Sequence, residues 1–160
     1  MNVHTEQAIL DQIKAIRTSR ESTTAEQNWI IQRLTDPQLK VKLPDISIVG
    51  LHLLSALQTE PLTGIVLAQQ LGVTRGGVTR AAKKLVTQGL LQTFQKPTDH
   101  KKIFYQLTPT GRTIAQQHDA MHRVLNQQLI TQLKGHYSPE ELSVVLRFLT
   151  DLTQFEEQLS

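Results

Sequence analysis

Residues 62–91 read LTGIVLAQQLGVTRGGVTRAAKKLVTQGLL and residues 92–111 continue QTFQKPTDHKKIFYQLTPTG, and this stretch decides the fold. Thr63 is a good N-cap for a short helix whose Val66, Leu67 and Leu71 fall on one face, and Gly72 supplies the reversal that ends it. Thr74 caps the next helix. There Val78, Ala81, Ala82, Leu85 and Val86 recur at three- and four-residue spacing, while Arg75, Thr79, Arg80, Lys83 and Lys84 occupy the other faces. One side packs and the other can meet phosphates. Gly89 stands where a left-handed C-cap is wanted. Leu90, Leu91, Thr93 and Phe94 begin a strand, Ile103, Phe104, Tyr105 and Leu107 form the returning one, and residues 96–102 are expected as the turn between them. A helix-turn-helix passing into a basic two-strand wing reads as a DNA-binding surface.

Charge supports that reading through its distribution. The net charge of the 160 residues is only +3. From Thr74 to Lys102, however, seven basic residues (Arg75, Arg80, Lys83, Lys84, Lys96, Lys101, Lys102) stand against one acid, Asp99. From Ser138 to the end, Glu140, Glu141, Asp151, Glu156 and Glu157 outweigh the single Arg147. A concentrated positive face beside an acidic one suits a polyanionic partner.

The flanks read as long helices. Ala8, Ile9, Ile13 and Ile16 keep helical spacing up to about residue 20, and Trp29, Ile30, Ile31 and Leu34 continue an apolar face after the polar residues 22–24. Thr23 with Glu26 forms a candidate capping box that would break the helix there. Residues 36–44, with two prolines, are expected as a linker, and residues 45–58 as a helix buried on several sides. Pro109 after Thr108, and Pro139 after Ser138 with Glu141 three residues on, open two further helices, to about residues 134 and 158. The second carries Leu142, Val145, Leu146, Leu149, Leu152, Phe155 and Leu159 along one stripe. A monomer would expose that stripe, so it is read as a dimer seam shared with the partner's N-terminal helix.

Several of these features together resemble the MarR family of winged-helix repressors: Leu71-Gly72-Val73-Thr74 before the second helix of the motif, Val78-Thr79-Arg80, Lys84-Leu85 through Gly89-Leu90, Asp99 with a basic residue two positions on, and Leu107-Thr108-Pro109-Thr110-Gly111. The resemblance implies a mainly α fold with a small β-wing, an obligate homodimer with long N- and C-terminal helices that binds a pseudo-palindromic double-stranded operator. It also implies a single domain over residues 1–160, with the DNA-binding lobe at 45–108 and dimerisation helices at 1–35 and 109–160. The family's second motif helix enters the major groove, so Arg75 and Arg80 are expected at guanines and Thr79 at a thymine methyl. Lys83 and Lys84 are expected at phosphates, and Thr74, Gly76 and Gly77 at the groove entrance. The two glycines weaken the first turn by about 1 kcal/mol each relative to alanine, unless backbone must approach DNA closely there. Lys96, Thr98, His100, Lys101 and Lys102 form the wing's share. Relatives commonly carry arginine where this chain has Lys101, and lysine lacks the planar fork that favours minor-groove entry, so the wing leans toward phosphate.

His118 and His122 lie four residues apart on the helix after the wing, a spacing that can chelate zinc. With His52 before Leu53-Leu54 and the run Phe104-Tyr105-Gln106-Leu107-Thr108, they resemble the zinc-responsive AdcR/ZitR branch of the family. That likeness implies a regulatory zinc site built from one histidine of the family's second helix, two of its fifth and a carboxylate from the first-helix region. His52, His118 and His122 match by position. No acid aligns with the branch's glutamate, and Glu26 and Asp36 are the available substitutes, with water as another fourth ligand. A second site in that branch needs a thiolate and a glutamate, whereas this chain has no cysteine and carries Gln117, so at most one site per subunit is expected. The other reading makes His52 a buried polar filler and His118 and His122 hydrogen-bonding groups beside the pocket of a phenolic or drug-like ligand that releases the repressor from DNA.

Other classes fit poorly. His118-Asp119-Ala120-Met121-His122 only superficially resembles the metalloprotease pattern His-Glu-x-x-His, and no nucleophile-base arrangement stands out, so no enzyme is expected. A winged helix acting as a protein-interaction module would not need so basic a second helix. Without cysteine, a signal peptide or a long apolar run, the chain is expected in the cytoplasm and away from membranes.

Overall fold

Side-chain caps open most of the helices of this chain, whose computed structural model describes residues 3–18 and 22–158. The elements are α1 (Val3–Thr18), α2 (Ser22–Arg33), α3 (Pro37–Lys42), α4 (Ile48–Ala56), β1 (Leu62–Thr63), α5 (Gly64–Leu71), α6 (Arg75–Thr87), β2 (Leu91–Lys96), β3 (Asp99–Leu107), α7 (Pro109–His136) and α8 (Pro139–Glu157). The hydroxyls of Thr63, Thr74 and Ser47 accept the N–H groups of Val66, Gly77 and Gly50, fixing where α5, α6 and α4 begin. Ser138 and Glu141 form a complete capping box at α8, 3.2 and 2.8 Å. Gly72 and Gly89 carry φ of 62° and 73°, left-handed conformations that a side chain would strain. The helix-turn-helix is therefore α5–α6.

Four local expectations need correction. Residues 36–44 are not a linker: Asp36 accepts the Gln38 N–H at 2.8 Å, Pro37 follows at the first helical position, and α3 then runs into a 3-10 turn at Leu43–Asp45. Asp-Pro here starts a helix, and Leu39 and Leu43 are buried by it. The expected break between α1 and α2 is present, but α2 begins at Ser22, so Thr23 stands in its first turn and not before it. The wing has a third strand, in the order β1-β3-β2, because Leu62 and Thr63 pair antiparallel with Tyr105 and Phe104. The wing turn is also tighter than residues 96–102, for Lys96 pairs directly with Asp99. Between that pair and Phe94↔Phe104 the register shifts, so β3 spends five residue steps where β2 spends two. The extra residues bulge outward and leave His100, Lys101, Lys102 and Ile103 exposed.

The core is one cluster in which Ile30 of α2, Leu51, Leu53 and Leu54 of α4, Leu67 of α5, Val78, Ala82 and Leu85 of α6, Leu90, and Ile114 and Met121 of α7 meet. The first turn of α7 sits hard against the corner at Gly89-Leu90. Thr108 N–H donates to the Leu90 carbonyl at 3.1 Å, and the hydroxyls of Thr108 and Thr110 donate to that of Gly89 at 2.8 and 3.1 Å. A Cβ on Gly111 would lie 1.9 Å from the Leu90 carbonyl oxygen, so glycine is required by close approach.

The chain divides into two compact units, up to Met121 and from His122 onward, with α7 contributing to both. Within the second unit no described residue of α8 is buried; Leu146 is 67% and Leu149 50% exposed. In the first unit α1 is likewise open, with Leu10 59% and Ile16 76% exposed. Leu159, the last residue of the expected stripe, lies outside the described residues. Among the described residues no helix is long and apolar enough to cross a membrane.

Candidate functional site

Two sites take shape, one at the start of α6 and the wing, the other between α2, α4 and α7. In the first, Thr74 closes the helix N-terminus, and Arg75, Gly76, Thr79, Arg80, Lys83 and Lys84 are all exposed along α6, with Gly77 partly so. The Thr79 hydroxyl donates to the Arg75 carbonyl at 2.9 Å, which leaves its methyl as the group it can offer outward. Gly76 has open space around its Cα, so its backbone can be approached without obstruction. Arg75 and Thr79 meet Lys101 and Lys102 around one hollow of about 590 Å³, whose apolar floor includes Ile65, Ile103 and Tyr105. The helix α6 and the wing thus present their cations to a common concavity.

The remaining basic residues are spread more widely. Lys84 stands 3.8 Å from Asp45, an exposed pair of little energetic weight, and is not part of the hollow. Lys96 lies over the Phe104 ring at 4.4 Å from its centroid, and Phe104 stacks on Phe94 across the strands. Thr98 and His100 are exposed on the wing, and the His100 carbonyl accepts the Gln95 side chain at 2.6 Å. Lys102 is held 3.1 Å from Asp99, whose carboxylate also accepts the Lys101 N–H. The hydrogen bond from Lys102 holds the Asp99 carboxyl below the usual aspartate range, with the Lys101 and Lys102 backbone adding to it.

In the second site, Glu26, His52, His118 and His122 each offer one ligand atom, and these atoms all lie within 4.8 Å of one another. His52 comes from α4; His118 and His122, one turn apart, come from α7. Glu26 is placed by its neighbour, for Gln27 donates to the carbonyls of Ile46 at 2.8 Å and Pro44 at 3.2 Å, pinning α2 to the segment before α4. Glu26 Oε2 is buried, accepts no hydrogen bond, and lies 3.6 Å from Nε2 of His118, itself 2% exposed. Leaving a buried carboxylate oxygen without a donor is costly, and a cation at this point removes the cost. Three imidazoles and a carboxylate are also a donor set that zinc accepts, so the residues present fit the metal. Bonds of about 2 Å would place ligand atoms about 3.3 Å apart, so the cluster needs closing by about an ångström or more at its widest pair. Asp36, the other carboxylate considered, is occupied as the α3 cap.

Partners of His118 went unnoticed in the sequence. Ser55 Oγ lies 2.7 Å from its Nδ1, and Asp119 Oδ1 3.7 Å. Ser55 stands three residues after His52 on α4, hence on the same helix face, and that spacing was the signal available.

Residues 45–102 match the profile of the MarR family. Over 103 residues the chain is 40% identical to the transcriptional regulator AdcR of Streptococcus pneumoniae, a match covering 63% of this chain and 68% of that protein. The crystal structure of Lactococcus lactis ZitR, described as a zinc-responsive MarR family member, is similar with a TM-score of 0.61 and 29% identity, over 68% of this chain and 74% of that one. Streptococcus pneumoniae FabT in complex with DNA is similar with a TM-score of 0.70 and 25% identity, over 97% of this chain and 99% of that one. A helix-turn-helix, a basic wing and this degree of identity to AdcR lead to one assignment: the chain belongs to the MarR family of transcriptional regulators.

Proposed function

We propose that the protein is a cytoplasmic, homodimeric repressor that binds a pseudo-palindromic operator and responds to zinc through one site per subunit, the metal acting as corepressor of zinc uptake genes. The observation that carries the zinc reading is the buried Glu26 oxygen that accepts no hydrogen bond and faces the His118 ring, with ligand atoms of His52 and His122 in the same cluster. Glu26, His52, His118 and His122 would hold the ion, which when bound supplies a four-coordinate link between α2, α4 and α7. Such a link favours the spacing of the paired second motif helices in which the four ligands converge, and the corepressor reading takes that spacing to be the one that suits the operator.

DNA contact falls to α6 and the wing. Arg75 and Arg80 read base edges, Thr79 offers its methyl, Lys83 and Lys84 meet phosphates, and the peptide groups at Thr74, Gly76 and Gly77 approach the backbone. Lys96, Thr98, His100, Lys101 and Lys102 serve the flanking phosphates. Pairing is supported by the open apolar faces of α1 and α8, which a soluble monomer would leave in water.

The test is operator binding by fluorescence anisotropy, with and without zinc, for the wild type and for His118→Ala combined with His122→Ala. Zinc is expected to tighten wild-type binding, while the double variant keeps its metal-free affinity and helical circular dichroism but ignores zinc. A double variant that still responds normally shows the site to be wrong. A wild type indifferent to zinc but released by phenolic acids assigns the effector to the organic class instead.

A further inference from the structure

Resting on the zinc reading above, we infer that Ser55 and Asp119 are positioning residues that keep the His118 proton on Nδ1 and so present the Nε2 lone pair to the ion. The two nitrogens of this ring face different surroundings. Nε2 looks toward Glu26 and the histidine cluster, whereas Nδ1 faces Ser55 Oγ at 2.7 Å and Asp119 Oδ1 at 3.7 Å. A neutral imidazole has one N–H and one lone pair, so ligation through Nε2 requires the proton on Nδ1. The Ser55 hydroxyl accepts that proton, and the nearby carboxylate favours it there by charge. With the ring 2% exposed, bulk water does not substitute for either partner.

The carboxylate that does this is itself held. The Gln58 side-chain amide donates to Asp119 Oδ2, and the Gln58 carbonyl accepts Arg112 Nη1 at 3.0 Å, tying the turn after α4 to α7. On the opposite side, Glu26 draws the same proton toward Nε2, and the balance between the two carboxylates sets the tautomer before an ion arrives. Removing the Ser55 acceptor or the Asp119 charge tips that balance toward Nε2–H, and the ion must then displace a proton from its own binding nitrogen.

The variants are Ser55→Ala and Asp119→Asn, with Ser55→Thr as the hydroxyl-retaining control. Long-range nitrogen-15 NMR of the metal-free wild type reads which His118 nitrogen carries the proton, and competition against a chromophoric chelator reads zinc affinity. The expected results are an Nδ1–H ring in the wild type, zinc affinity weakened about 10–100-fold in Ser55→Ala and Asp119→Asn, and wild-type affinity in Ser55→Thr. An Nε2–H ring in the metal-free wild type, or unchanged affinity in both variants, overturns the inference. The NMR reading uses no variant and so stands even where one fails to fold. A wild type that binds no zinc at all sinks the metal reading itself, an outcome that the tautomer cannot mimic.

Discussion

Asp99 puts a negative charge in the middle of the basic wing, and its two contacts show what it does there. It accepts the Lys101 N–H at the start of the bulge and holds the Lys102 ammonium at 3.1 Å, so it shapes the wing and ties up a cation that the proposed function assigns to phosphate. Because pairing lowers its carboxyl below the usual range, whatever stability the contact adds is present above the ordinary aspartate pKa. It is lost only as pH falls through the depressed folded value. The wing is therefore unchanged by this group across neutral pH. Replacing Asp99 with Asn releases Lys102, and duplex affinity measured across a salt series should rise, with the slope of log affinity against log salt steepening by about one. An unchanged slope would place Lys102 away from phosphate. At the same scale, His118 and His122 were legible because a four-residue interval on a helix is itself a spatial statement. Glu26 was visible only as one of two substitutes, and Ser55 only as a hydroxyl three positions after His52, since neither signals its partner on another helix along the chain.

Elements were legible where side chains cap their own backbone. Thr63, Thr74 and Ser138 announce α5, α6 and α8 because the N–H groups they satisfy lie three residues away. The Asp36-Pro37 start of α3 carries the same local signal, but two prolines in nine residues weighed toward a linker, and burial of Leu39 and Leu43 tips it toward helix. The two-residue β1 carries no periodicity at all, and exists because β3 offers it a free edge. The run Leu107-Thr108-Pro109-Thr110-Gly111, read at first as a helix start, also proves to be a docking device against Gly89 and Leu90. Gly111→Ala should therefore destabilise the fold by about 2 kcal/mol or more, as overpacking against a backbone oxygen has nowhere to relax. A thermal midpoint lower by roughly 4–8 °C in circular dichroism is the expected readout. A midpoint equal to wild type would mean that α7 can slide away from the corner freely.

For the whole molecule the open apolar faces are the decisive feature. Val145, Leu146, Leu149 and Phe155 on α8 are all exposed, an arrangement that water penalises unless a second copy covers it. Sedimentation of the wild type at micromolar concentration should show dimers. Leu146→Glu combined with Leu149→Glu should shift them to monomers and weaken operator binding on the order of a hundredfold, because two half-sites then bind independently. Retained dimers in that variant would remove α8 from the interface. By itself the sequence determined the helix-turn-helix, the basic wing, the long capped helices and the three histidines, since each depends on neighbours within a few residues. The tertiary structure alone decided that Glu26 and not Asp36 joins those histidines, that Ser55 and Asp119 back one of them, and that recognition helix and wing share one hollow. Those outcomes turn on how α2, α4 and α7 pack, and packing brings together residues that no local spacing relates.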